Sequence, residues 1–110
     1  MKTIKLALFI LAVVVLVTIP AQAQDAAAGK AAYAKKCQTC HGADGQGNAG
    51  MAKALKVEIR PLSHDEVQKK TDADIKKITM EGMGKMKPVK DVPAADLDNI
   101  VSYIRSLKKK

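Results

Sequence analysis

Cys37-Gln38-Thr39-Cys40-His41 is the stretch on which the reading of this 110-residue chain turns. Two thiols three positions apart, with an imidazole directly after them, form the pattern of covalent haem attachment. The spacing has a physical reason. On one helical turn both sulfurs come within reach of two neighbouring haem vinyl groups, and the next side chain projects its imidazole toward the iron. Cys37 and Cys40 are then the thioether tethers and His41 the proximal iron ligand. Three other readings use the same residues. A thioredoxin-like dithiol wants a strand running into a helix, and no strand pattern precedes Cys37. A zinc site could count Cys37, Cys40, His41 and His64, but adjacent Cys40 and His41 crowd a tetrahedral ion. A plain disulfide is the third.

Upstream of the motif, Asp25 can cap a helix over Ala26–Lys36, nearly all good helix formers. Gly29, Tyr33 and Cys37 recur every four residues and share one face. Downstream, residues 41–50 carry four glycines and read as irregular, and 51–56 make a turn or two of helix. Ser63 with Glu66, and Thr71 with Asp74, read as capping pairs ahead of short helices. The second of these turns Ile75, Ile78 and Thr79 inward and stops at Gly82. Residues 83–92 form a loop, and Pro93 suits the first turn of a last helix. Leu97, Ile100, Val101, Ile104 and Leu107 give that helix its apolar stripe, and three lysines close it at 108–110. The expected fold is all-α, small and rich in loops.

The N-terminal residues have a different character. Seventeen of the first 23 are apolar, with Lys2 and Lys5 ahead of an unbroken apolar run over 6–17. A run of 12 is short for a membrane span, which needs ~20 residues, and Ala21-Gln22-Ala23 resembles a small-residue cleavage site. Residues 1–23 are therefore expected to be a cleaved signal peptide and 24–110 a single exported, periplasmic domain. Retention as a membrane anchor is the alternative. The remaining 87 residues contain two aromatics, Tyr33 and Tyr103, and no tryptophan. So short a chain builds a marginal core, and two cysteines are too few for a disulfide scaffold. A porphyrin supplies the missing apolar body. Burying several hundred Å2 of it at ~25 cal/mol per Å2 contributes on the order of 10 kcal/mol before entropy. Without haem the chain is expected to stay largely unfolded.

The sixth ligand decides what such an iron can do. A second protein ligand confines it to electron transfer, and a vacant position permits gas binding or haem-enzyme chemistry. The candidates are Met80, Met83, Met86 and His64. Met80 falls within the 75–81 helix, and His64 sits beside a capping serine. Met83 and Met86 lie in the loop, where Lys87-Pro88 stiffens the backbone next to Met86. Met86 is the expected distal ligand and Met83 the rival.

Taken together, these residues resemble a small bacterial class I cytochrome c over essentially the whole of 24–110. The resemblance rests on Gly29-x-x-x-Tyr33-x-x-x-Cys37, Cys37-x-x-Cys40-His41-Gly42 and Asp44-Gly45-x-Gly47. It continues through Ile78-x-x-x-Gly82-x-Gly84-Lys85-Met86-x-Pro88 and the 97–107 helix pattern. It implies N- and C-terminal helices that cross at Gly29, with Ile100 and Tyr103 facing Gly29 and Tyr33. Two departures stand out. Lys87 separates Met86 from Pro88, where many members have Met directly before Pro. No proline lies in 51–56, where members commonly place the carbonyl that accepts the proximal imidazole proton; Pro61 comes later. The group that orients His41 is thus unassigned.

The function expected is one-electron transfer by one covalently attached haem c with His41/Met86 ligation, in a monomeric carrier and not an enzyme. The excess of basic residues, 17 − 11 = +6 once Lys2 and Lys5 are set aside, fits redox partners with acidic docking surfaces. Lys35 and Lys36 flank the haem motif, and Lys85, Lys87 and Lys90 flank Met86. Nucleic acid is not an expected partner, because the lysines are spread over every segment without aromatic interleaving.

Overall fold

An acidic cap and an alanine-rich run start the first element of the computed structural model, which describes residues 25–109. The expected signal peptide lies outside the described residues. Helix α1, Ala26–Lys36, begins where the Asp25 carboxylate accepts from the Ala27 and Ala28 amides at 2.9 and 3.1 Å. Asp25 also donates its backbone N–H to the Asn99 side-chain oxygen at 2.9 Å, which fastens this end to the last helix. That last helix, Ala94–Ser106, is the sixth and longest described one. Between them run α2 (Gln38–His41), α3 (Ala49–Leu55), α4 (Asp65–Gln68) and α5 (Asp72–Glu81), and the last is α6. No strand occurs among the described residues, as expected of an all-α chain.

The crossing of α1 and α6 is the largest helix–helix interface described. Gly29 permits it. A Cβ at Gly29 would lie 1.8 Å from the Asn99 carbonyl oxygen, so any side chain would drive the two backbones apart. One turn along, Tyr33 packs edge to face on Tyr103, with ring centroids 5.0 Å apart. Around this pair gather Leu62, Ile75, Ile100, Val101 and Ile104. Helix α5 adds Ile75 and the buried Thr79, whose hydroxyl donates to the Ile75 carbonyl at 2.8 Å. Ile78 is only half-buried. Arg105 fastens the middle of the chain to α6. Its guanidinium donates to the carbonyls of Gln68 and Lys70 and to the Asp72 carboxylate, covering the end of α4 and the start of α5.

Several boundaries differ from the sequence reading. Helix α3 starts at Ala49, because the Asn48 side chain accepts from the Met51 amide at 3.1 Å and draws Gly50 into the first turn. Helix α4 is capped by His64 and not by Ser63. The His64 Nδ1 accepts from the Glu66 amide at 3.2 Å, two residues on, as an Asx side chain would. Pro93 is the N-cap of α6, one position before the first turn, because its ψ of 149° is still extended. Thr71 caps α5 as expected, accepting from the Asp74 amide.

Candidate functional site

The two cysteines stand at a helix junction. Cys37 closes α1, its N–H donating to the Tyr33 carbonyl at 2.8 Å, and its own carbonyl accepts from the His41 amide at 3.0 Å. Cys37, Cys40 and His41 thus occupy one short turn, as the spacing requires. All three are half-buried, and the thiols are not bonded to each other. Burial, and secondarily the neighbouring Cys40, pushes the Cys37 thiol up to about 11. A redox-active dithiol needs the opposite, a thiolate stabilised near neutral pH. Burial also lowers the His41 imidazole below its ordinary value, which keeps it neutral as an iron ligand must be.

The glycine-rich segment folds straight back onto α2. Gly47 donates to the His41 carbonyl at 2.7 Å and Asn48 to the Cys40 carbonyl at 2.9 Å. The Asn48 amide also donates to the Thr39 carbonyl at 3.1 Å. From the helix crossing, the Tyr33 hydroxyl reaches the Gly42 carbonyl and the Tyr103 hydroxyl the Ala43 carbonyl.

Met86 lies on a separate piece of backbone. Met83 and Met86 exchange N–H···O=C bonds of 3.0 and 2.9 Å, closing a tight turn with Gly84 and Lys85 at its tip. Gly82 enters this turn with φ +79°, and a Cβ there would lie 2.6 Å from the Met86 carbonyl oxygen. The Lys85 ammonium donates to the Leu55 carbonyl at 3.0 Å, at the C-terminal end of α3. Since α3 also touches α2, the turn and the cysteine–histidine segment are connected through the same helix. Met86 is half-buried, whereas Met80 and Met83 are 58% and 59% exposed. His64 is exposed and spends its Nδ1 on the α4 cap. It does not join Cys37, Cys40 and His41: no three His, Cys, Asp or Glu side chains converge as a metal-ion cluster among the described residues.

These residues fit a covalently held haem on two further observations. The His41 Nδ1 is buried without a hydrogen-bond partner, so the imidazole spends none of that nitrogen's bonding capacity on the protein. Met51, Leu55, Val57, Ile59, Ile78, Met86 and Val89 are half-buried yet stand outside the core cluster. That is a set of apolar side chains for a large apolar body to cover. The sequence did not disclose the hydroxyl targets of the two tyrosines, the reach of Lys85 or the cap by Asn48. A buried phenol must find a partner, so the tyrosine bonds were foreseeable in kind though not in address.

Comparison with known proteins agrees. Residues 24–104 match the model of the family described as cytochrome C oxidase, cbb3-type, subunit III. Cytochrome c-554(547) of Halothiobacillus neapolitanus is 33% identical over 92 residues, covering 78% of this chain and 100% of that protein. The solved KustC0563 c-type cytochrome superposes with a TM-score of 0.61 at 30% identity, over 74% of this chain and 98% of that one. With the helix crossing, the Cys-x-x-Cys-His turn and these likenesses in one chain, the protein belongs to the c-type cytochromes, as a small mono-haem class I member whose covalently attached haem c serves electron transfer.

Proposed function

We propose that the chain is an exported, monomeric one-electron carrier in which Cys37 and Cys40 tether the haem, His41 is the proximal ligand and Met86 the distal one. The haem supplies a one-electron Fe(III)/Fe(II) couple. His41 offers a neutral imidazole from a rigid turn. Met86 offers a soft thioether, which favours the ferrous state over what a second imidazole would give. With both positions taken by protein side chains, exogenous ligands are kept off the iron. The observation that carries the Met86 assignment is burial. Of the three methionines in 80–86 it alone is half-buried, while Met80 and Met83 stand exposed.

Partner recognition is assigned to charge. Lys35, Lys36, Lys85, Lys87 and Lys90 are all exposed and flank the two ligand-bearing segments, a pattern that attracts an acidic docking surface. Export rests on the leader-like 1–23 sequence. No helix among the described residues is long and apolar enough to cross a membrane.

The test is the absorbance spectrum of the purified holoprotein. The ferric form should show the weak far-red sulfur-to-iron charge-transfer band, abolished by Met86→Ala and retained by Met83→Ala and Met80→Ala. Rapid CO binding by the ferrous wild type would instead mark a vacant position and overturn the assignment.

A further inference from the structure

The only tyrosines of the chain direct their hydroxyls to two consecutive carbonyls, and those carbonyls follow His41 directly. Tyr33, from α1, donates to the Gly42 carbonyl at 2.6 Å; Tyr103, from α6, donates to the Ala43 carbonyl at 2.9 Å. Both rings are buried, Tyr33 at 0% exposure and Tyr103 at 6%. Packing across the helix crossing would be served as well by phenylalanine, which brings no hydroxyl to desolvate. The hydroxyls therefore have a use of their own.

What they act on has no other visible restraint from its side chain. An imidazole on a metal is ordinarily oriented through its second nitrogen. Here the His41 Nδ1 is buried without a hydrogen-bond partner, and no proline occupies 51–56. Orientation then falls to the backbone on either side of His41. Upstream, the α2 turn holds it, with the His41 amide on the Cys37 carbonyl. Downstream, Gly47 holds the His41 carbonyl, and the next two carbonyls belong to the tyrosines. We propose that Tyr33 and Tyr103 are positioning residues for His41, fixing the Gly42-Ala43 backbone from which the imidazole plane takes its direction. The inference rests on the reading of His41 as an iron ligand. It links the α1–α6 crossing, set by Gly29, to the ligand geometry through two hydroxyls.

The test uses ferric holoprotein and its paramagnetic proton NMR spectrum, whose haem-methyl shifts follow the plane of the axial imidazole. Tyr33→Phe and Tyr103→Phe each remove one hydroxyl and keep the ring. Each should alter the spread of the haem-methyl shifts, and the double variant should alter it more than either. Ile75→Val, which thins the core without touching a hydroxyl, should lower Tm and leave the pattern as in the wild type. An unchanged pattern in the Phe variants, or an equal change in Ile75→Val, would overturn the proposal. If the double variant yields no holoprotein, the two single variants decide. His41→Ala separates this from the underlying reading. Retention of the wild-type low-spin spectrum there would remove His41 as ligand, whereas its loss together with unmoved Phe variants would sink the positioning role alone.

Discussion

The segment that carries His41 and the turn that carries Met86 are held in different ways. The first lies against the helix crossing. Two buried tyrosine hydroxyls, a helical turn and two returning backbone bonds fix it. The second is a surface turn. Its Met83–Met86 bonds are internal, and what ties it to the rest is Val89 donating to the Thr79 carbonyl at 2.8 Å, with exposed Lys85 donating to Leu55. Local stability follows burial and contact, so the Met86 side should open at lower free energy than the His41 side. A carrier ligated in the proposed way tolerates this asymmetry, because the firm side would hold the covalent tethers and the looser side would contribute a single weak bond.

The largest expected effect comes from striking the firm side at its root. Gly29→Ala sets a Cβ against the Asn99 carbonyl, a backbone atom that cannot rotate away. A loss of ~3 kcal/mol is expected, read by chemical denaturation of the holoprotein. The whole protein should respond, with the helical signal and the haem environment lost in one transition.

Gly82→Ala strikes the loose side. It combines a positive-φ, extended backbone (φ 79°, ψ 170°) that is essentially reserved for glycine, worth about 1–3 kcal/mol of strain, with close approach to the Met86 carbonyl and Pro88. Here the outcome should be local. The far-red band should weaken or vanish and ferrous CO binding should speed up, while far-UV circular dichroism at ambient temperature stays as in the wild type. Collapse of both signals together would break the comparison.

Much of the firm side can be read from the sequence, and the reason is locality. Asp25 and Thr71 lie beside the amides they cap, and the stripes of α1 and α6 repeat at helical spacing. Cys37, Cys40 and His41 are neighbours in the chain and need only one turn to meet. The spacing put Gly29 on one face with Tyr33 and Cys37, and its place at the helix crossing came from the resemblance to class I cytochromes c. What could not be read depends on segments brought together by the fold. The carbonyls that Tyr33 and Tyr103 choose belong to a loop, and Tyr103 lies 60 positions from its partner. Lys85 reaches a helix end 30 positions away. His64 took the cap expected of Ser63 because its ring nitrogen can imitate an Asx oxygen, a local option that a capping pattern of serine and glutamate hides.

A smaller effect is expected from Lys85. Its bond to Leu55 is charge-assisted but exposed, so Lys85→Met should cost ~1 kcal/mol or less. The readout is a several-fold rise in the rate of ferrous CO binding with little change in Tm, and Lys85→Arg should restore much of the difference.

The smallest effect appears only in alkaline solution. Burial holds the Tyr33 and Tyr103 hydroxyls protonated above their ordinary value of 10.0. A raised value in the folded state means the unfolded chain releases these protons first as the pH climbs. The associated stability is complete below about 10 and is lost as pH rises through the raised values. Tm should therefore fall from about pH 10 upward, and less steeply in Tyr33→Phe and Tyr103→Phe.

One measurement reaches the central claim directly: thermal unfolding of the ferric holoprotein followed at once by the far-red band and by far-UV circular dichroism. The account predicts a band that is present at ambient temperature, absent from Met86→Ala, and lost well before the helices melt. Absence of the band from the wild type, or its loss in step with the helical signal, would contradict a haem held firmly by His41 and loosely by Met86.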